Sequence, residues 1–279
     1  MTTIILQGPK LNDDRANAIV QRTGGSLEKR RHHYRINGAN NISAEQLAEL
    51  RAAADFDINL LPEKFDPAEV KLLITDMDST FIGIECIDEI ADFANLKPQV
   101  AEITEAAMRG EINFETSLTK RVGLLAGLDT GALQKVYDER LTLNPGAERM
   151  LAALRQKGIR IALVSGGFTF FTSRLEERCA LDFTLANVLE KVEGKLTGRV
   201  VGSIVGAEAK EAFLRKLCAE LNLELSQAIA MGDGANDLKM MKPAGLSVAY
   251  HAKPAVQTEA DVAFNYCGLD GVLGLLDCE

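Results

Sequence analysis

Nowhere in the 279 residues do about 18 apolar side chains follow one another, so no segment is expected to cross a membrane as a helix. The first residues lack a positively charged start leading into a long apolar run, so a secretory leader is not expected and a cytoplasmic protein is. Cysteine is sparse. Cys86, Cys179, Cys218, Cys267 and Cys278 are odd in number and form no C-x-x-C pair, which indicates neither a disulfide framework nor a zinc site. Basic charge is also short: 31 Lys and Arg stand against 40 Asp and Glu, a formal net charge of −9. Residues 1–65 hold nine of the basic and eight of the acidic side chains, leaving −10 on the other 214. Such an acidic body argues against nucleic acid as substrate, and any phosphate it holds needs local cations. The run Lys29-Arg30-Arg31-His32-His33-Tyr34-Arg35 reads as a solvated strand face rather than a nucleic-acid patch.

What is present is an ordinary globular composition, 47% hydrophobic and 25% charged, in a length that fits one large or two unequal domains. Its most informative segment is Leu72-Leu73-Ile74-Thr75-Asp76-Met77-Asp78-Ser79-Thr80, an apolar strand running into two carboxylates. Side chains at i and i+2 share a strand face, which sets the Asp76 and Asp78 carboxylates roughly 6–7 Å apart along the chain. Acids so close need a cation, or one of them must hold a proton. A hard ion such as Mg²⁺ lets Asp76 stay ionised as ligand and nucleophile while Asp78 performs acid/base chemistry. The same letters also suit a helix N-cap. A calcium loop is disfavoured, because the sixth and twelfth positions from Asp76 are Phe81 and Ile87 where Gly and Glu are required.

Three further segments point the same way. A strand over 159–164 follows a helix that starts near Pro145, carries Met150, Leu151 and Leu154, and stops before Gly158. Ser165-Gly166-Gly167 then reads as a turn whose amides and hydroxyl suit a phosphate oxygen. Lys210 opens a helix with the apolar stripe Phe213, Leu214, Leu217 and Leu221. A cation in a first helical turn opposes the helix dipole unless an anion is near, although a solvated surface lysine is the plainer reading of that residue alone. A short strand over 227–231 leads into Gly232-Asp233-Gly234-Ala235-Asn236-Asp237. This is not the dinucleotide fingerprint, since Asp237 stands where the third Gly belongs. Asp233 and Asp237 instead supply the second half of a Mg²⁺ site, with Asn236 as a neutral hydrogen-bonding neighbour.

Taken together, Asp76/Asp78, Ser165, Lys210 and Asp233/Asp237 resemble the four motifs of the haloacid dehalogenase-like phosphatase superfamily, in order, across about 160 residues. Glu85, Met108-Arg109-Gly110, Asn113-Phe114-Glu115, Lys120-Arg121-Val122, Ala186-Asn187 and Lys195-Leu196-Thr197-Gly198 look like the phosphoserine phosphatases within it. One departure is Val205-Gly206-Ala207-Glu208-Ala209 before Lys210, where that family often has an Asp. The resemblance implies a doubly wound, mostly parallel α/β sheet with an inserted helical cap, Mg²⁺ as cofactor, phosphoserine as substrate and hydrolysis through an aspartyl-phosphate, the last step of L-serine biosynthesis. Within it, Asp76 is the nucleophile and Asp78 the proton donor. The metal is held by Asp76, the Asp78 carbonyl and Asp233, with Asp237 as a further ligand or just behind. Glu85, Met108, Phe114, Arg121, Ser165, Gly166, Lys210 and Asn236 bind substrate. A relative that passes the phosphate to homoserine shares most of these features. A receiver-type phosphate acceptor and a non-catalytic amino-acid-binding regulator are the readings from other classes.

Residues 3–7, 13–22, 31–36, 44–54 and 56–61 alternate as strand, helix, strand, helix, strand. They make a small N-terminal α/β unit over 1–65 that loosely resembles ACT-like regulatory domains. Leu61 to Pro67 reads as a linker into the 66–279 phosphatase domain. The helical cap is expected over about 80–144. On its stripe of Phe114, Leu118, Val122 and Leu125, Arg121 falls within about 20° of Phe114. A guanidinium there either snorkels or points into the site, and a fork onto a substrate carboxylate is favoured. Glu85 suits a substrate ammonium, Met108 and Phe114 screen the site, and residues 189–205 suggest a β-hairpin beside the mouth. No nucleic-acid or membrane partner is expected, and a homodimer is left open.

Overall fold

The computed structural model describes residues 2–278 and places them in two sheets. The N-terminal unit contains β1 (Thr3–Gln7), α1 (Asp13–Thr23), β2 (Ser26–Lys29), β3 (Tyr34–Asn37), α2 (Ala44–Ala52) and β4 (Asp57–Leu61), with antiparallel strand order β2-β3-β1-β4. Local capping defines its helices. The Asn12 side chain accepts from Arg15 N–H at the head of α1, and Ser43 with Gln46 forms a reciprocal capping box on α2. The sequence reading missed β2, whose Ser-Leu-Glu-Lys letters lie at the surface with no buried alternation.

The larger body follows: β5 (Leu72–Thr75), α3 (Cys86–Phe93), α4 (Lys97–Met108), α5 (Phe114–Leu124), α6 (Gly131–Glu139), α7 (Ala147–Gln156), β6 (Arg160–Phe168) and α8 (Thr169–Cys179). Then come β7 (Phe183–Val192), β8 (Lys195–Val201), α9 (Ala207–Glu220), β9 (Ala228–Gly232), α10 (Leu238–Met241), β10 (Leu246–Tyr250), α11 (Pro254–Glu259), β11 (Val262–Phe264) and α12 (Gly271–Leu275). The sheet order is β11-β10-β9-β5-β6-β7-β8, parallel throughout except for the antiparallel β7–β8 pair. This is the expected doubly wound α/β sheet, with α3–α6 as the helical insertion. Strand β5 is buried at all four positions, as a central strand covered on both faces must be. The chain leaves β5 for β6 on one side and β9 on the other, so the carboxyl ends of these three strands frame a crevice.

The N-terminal unit is seated on the edge strand β11. Asn59, fully buried, donates to Ala263 O and accepts from Ala263 N–H, both at 2.9 Å. Its amide thus pairs the free edge that β11 would otherwise present. Asp57 accepts from the backbone N–H groups of Asn265, Tyr266 and Cys267. The basic run is not the solvated face its letters imply: His33 and Arg35 are buried, Arg35 donates to Gly274 O, and Arg30 pairs with Asp277. Docking on the C-terminal segment buries alternate members of that strand. Phe65, inside the expected linker, is buried in the main core. Among the described residues no helix is long and apolar enough to cross a membrane.

Candidate active site

The crevice holds a cleft of about 140 Å³ with Asp76, Asp78, Ser165, Gly166, Asp233 and Asn236 on the sheet side. Glu85, Phe114 and Arg121 face them from the cap. Asp76 follows directly on β5, and the chain then winds tightly through Met77–Phe81, with Ser79 at φ 56°. That winding turns Asp78 back over the strand end. Its Oδ1 accepts from Cys86 N–H at 2.9 Å, and its Oδ2 accepts from Ser165 Oγ at 3.4 Å.

Behind Asp76 lies Lys210. It is in the first turn of α9 yet wholly buried, which sets aside the surface-lysine reading. Its Nζ donates to Asp76 Oδ1 at 2.5 Å and to Asp237 Oδ1 at 2.7 Å. Burial alone would lower the lysine, but the charges of Asp237 and Asp76 outweigh it and hold the ammonium protonated. Burial, and then the Asp237 charge, push the Asp76 carboxyl well above the usual range. Burial likewise raises Asp78, against the pull of the Cys86 amide. Asp233 is pushed up to about 6 by burial and then by Asp237. One lysine therefore faces three carboxylates whose oxygens all lie within 4.8 Å of one another, those of Asp76, Asp233 and Asp237. The deficit of positive charge and the all-oxygen donor set fit a hard divalent cation.

The Ser165-Gly166-Gly167 segment is not the turn its letters suggest. It is the end of β6, and the β6–β7 register shifts between Val164 and Phe168. The Ser165 hydroxyl accepts from Gly167 N–H at 2.8 Å, replacing a ladder bond, so a bulge does the work expected of a turn. Glycine is needed for space: a Cβ at Gly166 would lie 2.7 Å from Phe114 Cζ, across the cleft on the cap. Likewise, a Cβ at Gly232 would lie 2.4 Å from the Asp237 carboxyl.

On the cap, Asn113 caps α5 by accepting from Thr116 N–H at 2.8 Å, and the helix carries Phe114, Leu118 and Arg121 into the cleft on one face. Among the described residues Arg121 makes no hydrogen bond or ion pair, and its buried Nε has no partner. Glu85 precedes α3 and accepts from Ser79 Oγ at 2.6 Å. Confinement between the cleft walls, and then the Asp78 charge, raise its carboxyl even though the mouth leaves it open to water. Met108 is not brought to the cleft. It ends α4 with 62% of its surface exposed, and its sulfur faces Lys253 Nζ at 3.8 Å, because Gly110 at φ 75° turns the chain away before α5 begins.

Two contributors went unassigned from sequence. Thr80 Oγ1 donates to Asp233 Oδ1 at 2.9 Å, tying the first acid segment to the last. Asn187, at 1% exposure, donates to Gly166 O and accepts from Val205 N–H, each at 2.8 Å, which holds the bulge against the α9 side. A buried polar residue amid the apolar letters of β7 was the available signal.

Comparison with known proteins agrees with this geometry. The family model described as haloacid dehalogenase-like hydrolase matches residues 70–245. A phosphoserine phosphatase of Polaromonas sp. is 51% identical over 224 residues, 78% of this chain and 95% of that protein. A haloacid dehalogenase family hydrolase from Salmonella enterica superposes with a TM-score of 0.91 at 33% identity, covering 100% of both chains. A probable phosphoserine phosphatase from Vibrio cholerae does so at 0.85 and 37%, covering 99% of this chain and 86% of that one. By sequence and by structure alike, the chain belongs to the phosphoserine phosphatase family of the haloacid dehalogenase-like hydrolases.

Proposed function

We propose that this enzyme hydrolyses O-phospho-L-serine to L-serine and phosphate through an aspartyl-phosphate on Asp76, with Mg²⁺ as its divalent ion, as the last step of L-serine biosynthesis. One observation carries the reading: carboxylates and a buried lysine stand at one end of a small cleft, and an unpaired guanidinium and a carboxylate stand at the other. The first end suits a phosphate with its cation. The second suits the carboxylate and ammonium of an amino acid. About 140 Å³ is well below the ~300–1,000 Å³ of drug-sized pockets, so a small ester is the expected guest. Two of the three relatives named above, from Polaromonas sp. and Vibrio cholerae, bear the name phosphoserine phosphatase or probable phosphoserine phosphatase, which supports the same substrate.

In this mechanism a carboxylate oxygen of Asp76 attacks phosphorus in line, while Lys210 fixes the orientation of that carboxylate. Asp78, whose carboxyl burial shifts toward the protonated form, gives a proton to the departing serine oxygen. It then takes a proton from the water that cleaves the acyl phosphate and frees Asp76. Ser165 and the Gly166 amide hold the phosphoryl oxygens, with Asn236 beside them. Mg²⁺ held by Asp76, Asp233, the Asp78 carbonyl and, directly or through water, Asp237 would neutralise charge gathering on the phosphoryl group. Arg121 takes the substrate carboxylate and Glu85 its ammonium, and Phe114 closes the apolar side.

The reading includes a cytoplasmic location and a 1–65 unit, distinct from the 66–279 phosphatase domain, that answers to an amino acid. It also includes a homodimer, for which mass by light scattering is the test. The decisive experiment is phosphate release from L-phosphoserine with Mg²⁺ and with chelator, with and without homoserine, beside phosphothreonine and the Asp76→Asn variant. Selective, Mg²⁺-dependent release lost in the variant is expected. Release only in the presence of homoserine would replace hydrolysis by transfer, and turnover surviving in Asp76→Asn would sink the nucleophile.

A further inference from the structure

Four polar atoms in the cap are buried without a hydrogen-bond partner: Asp88 Oδ1 and Glu89 Oε2 on α3, and Ser117 Oγ and Arg121 Nε on α5. Glu89 Oε2 has the Arg140 guanidinium 3.4 Å away, which leaves the other three without a counterpart. Buried polar atoms are nearly always paired, because an orphan forfeits its bonds to water and gains nothing in return. Ser117 and Arg121 are four residues apart and so share a helix face. Arg121 lines the cleft, as do Leu118 beside Ser117 and Ile87 beside Asp88. Of the acidic groups acting on Arg121, Asp88 pulls hardest, ahead of Glu85 and Asp78. Arg121 is in turn the strongest cation felt by Asp88, ahead of Lys97. An acceptor on α3 and, on one face of α5, a hydroxyl able to donate and accept and a donor are thus buried in the cap, each lacking what the others offer.

A guanidinium that grips a carboxylate end-on through its two terminal nitrogens leaves Nε facing backwards. We propose that Asp88 and Ser117 are positioning residues for that grip: when a phosphate ester bearing a carboxylate enters, Nε settles onto Asp88 with Ser117 bridging, and the fork is held square to the substrate. This pair would then set the preference for carboxylate-bearing esters without touching the phosphate chemistry. The inference rests on the phosphoserine reading above.

The test compares L-phosphoserine with O-phosphoethanolamine, the same ester and ammonium without the carboxylate, in the wild type and in Asp88→Asn, Ser117→Ala and Arg121→Lys. In Asp88→Asn, which keeps the side-chain shape, KM for phosphoserine is expected to rise about tenfold with kcat within about twofold, and kcat/KM for phosphoethanolamine to stay within about twofold. Ser117→Ala is expected to show a smaller loss of the same pattern. A merely structural orphan would behave otherwise: its removal would raise the melting temperature and leave KM alone. Equal losses on both esters in Asp88→Asn would overturn the proposal, as would an unchanged KM for phosphoserine while Arg121→Lys still raises it. If Arg121→Lys does not distinguish the two esters, the assignment of Arg121 fails first and the positioning role falls with it.

Discussion

The Lys210 ammonium lies 2.5 Å from Asp76 Oδ1, with the lysine fully buried and the aspartate nearly so. The two residues are 134 positions apart in sequence, and Lys210 is also bonded to Asp237. It therefore holds together the ends of β5 and β9 as well as orienting the proposed nucleophile. Replacing it by Met leaves two buried carboxylates facing each other. Breaking such a pair costs on the order of 3–5 kcal/mol. Lys210→Met should unfold at markedly lower urea concentration and lose more than about 10²-fold in kcat. Wild-type stability in this variant would show that the lysine is not structural.

Asp76→Asn should separate stability from chemistry. Since burial and Asp237 raise the folded Asp76 pKa, ionising it at neutral pH opposes folding, and a neutral amide removes that cost. Turnover should vanish while the chelated protein melts no lower than the wild type. A large fall in melting temperature would contradict the account of the acid cluster.

The pH dependence of the metal-free protein follows from Asp233. Its carboxyl is at about 6 when folded, against an ordinary value of 3.8. The folded state thus binds that proton more tightly, and this contribution to stability is lost as pH rises from about 4 through 6. A divalent ligand of the ionised cluster should reverse the loss. The Mg²⁺-induced rise in melting temperature should therefore be larger near pH 7.5 than near pH 5, and smaller in Asp233→Asn at the higher pH. Calorimetry with and without chelator decides it, and a pH-independent Mg²⁺ effect would remove Asp233 from the ligand set.

Gly166 and Phe114 should be coupled across the cleft. A Cβ at Gly166 would approach Phe114 Cζ to 2.7 Å, so the Phe114 ring must move from its place in the cleft. Gly166→Ala is expected to lose about tenfold or more in kcat/KM. Leu has no atom matching Cζ, so Phe114→Leu should be less harmful in the Gly166→Ala background than in the wild type. Strict additivity in this double-mutant cycle would show that the contact is not made.

Asn59 predicts a purely structural effect. Asn59→Ala strips partners from both the N–H and the C=O of Ala263, at about 1–3 kcal/mol each. Denaturant titration should record the loss, and kcat should be unchanged.

Much of this was legible because the chemistry sits at strand ends. A buried apolar run that stops at Asp76, or at Gly232-Asp233, announces both the strand and its acidic exit, and β5 and β9 fall within a residue of where the letters place them. The α5 stripe likewise put Phe114 and Arg121 on one face, and the cleft receives both. What the letters misreport are features whose partners are far away in sequence. Ser165-Gly166-Gly167 has turn-forming letters but is held as a bulge within β6, because Val164 before it and Phe168 after it both pair with β7. The basic run from Lys29 has surface letters, but its alternate members are buried under the C-terminal segment.

The sequence by itself determined the strand and helix periods, the order of the acidic segments and the residue types able to bind a cation and a phosphate. These follow from local sterics and from spacing along the chain. Only the tertiary structure decided that Lys210 is buried between two carboxylates, that Arg121 enters the cleft unpaired and that Met108 stays outside it. Burial and charge pairing are properties of groups brought together from distant parts of the chain, and local periodicity carries no information about them.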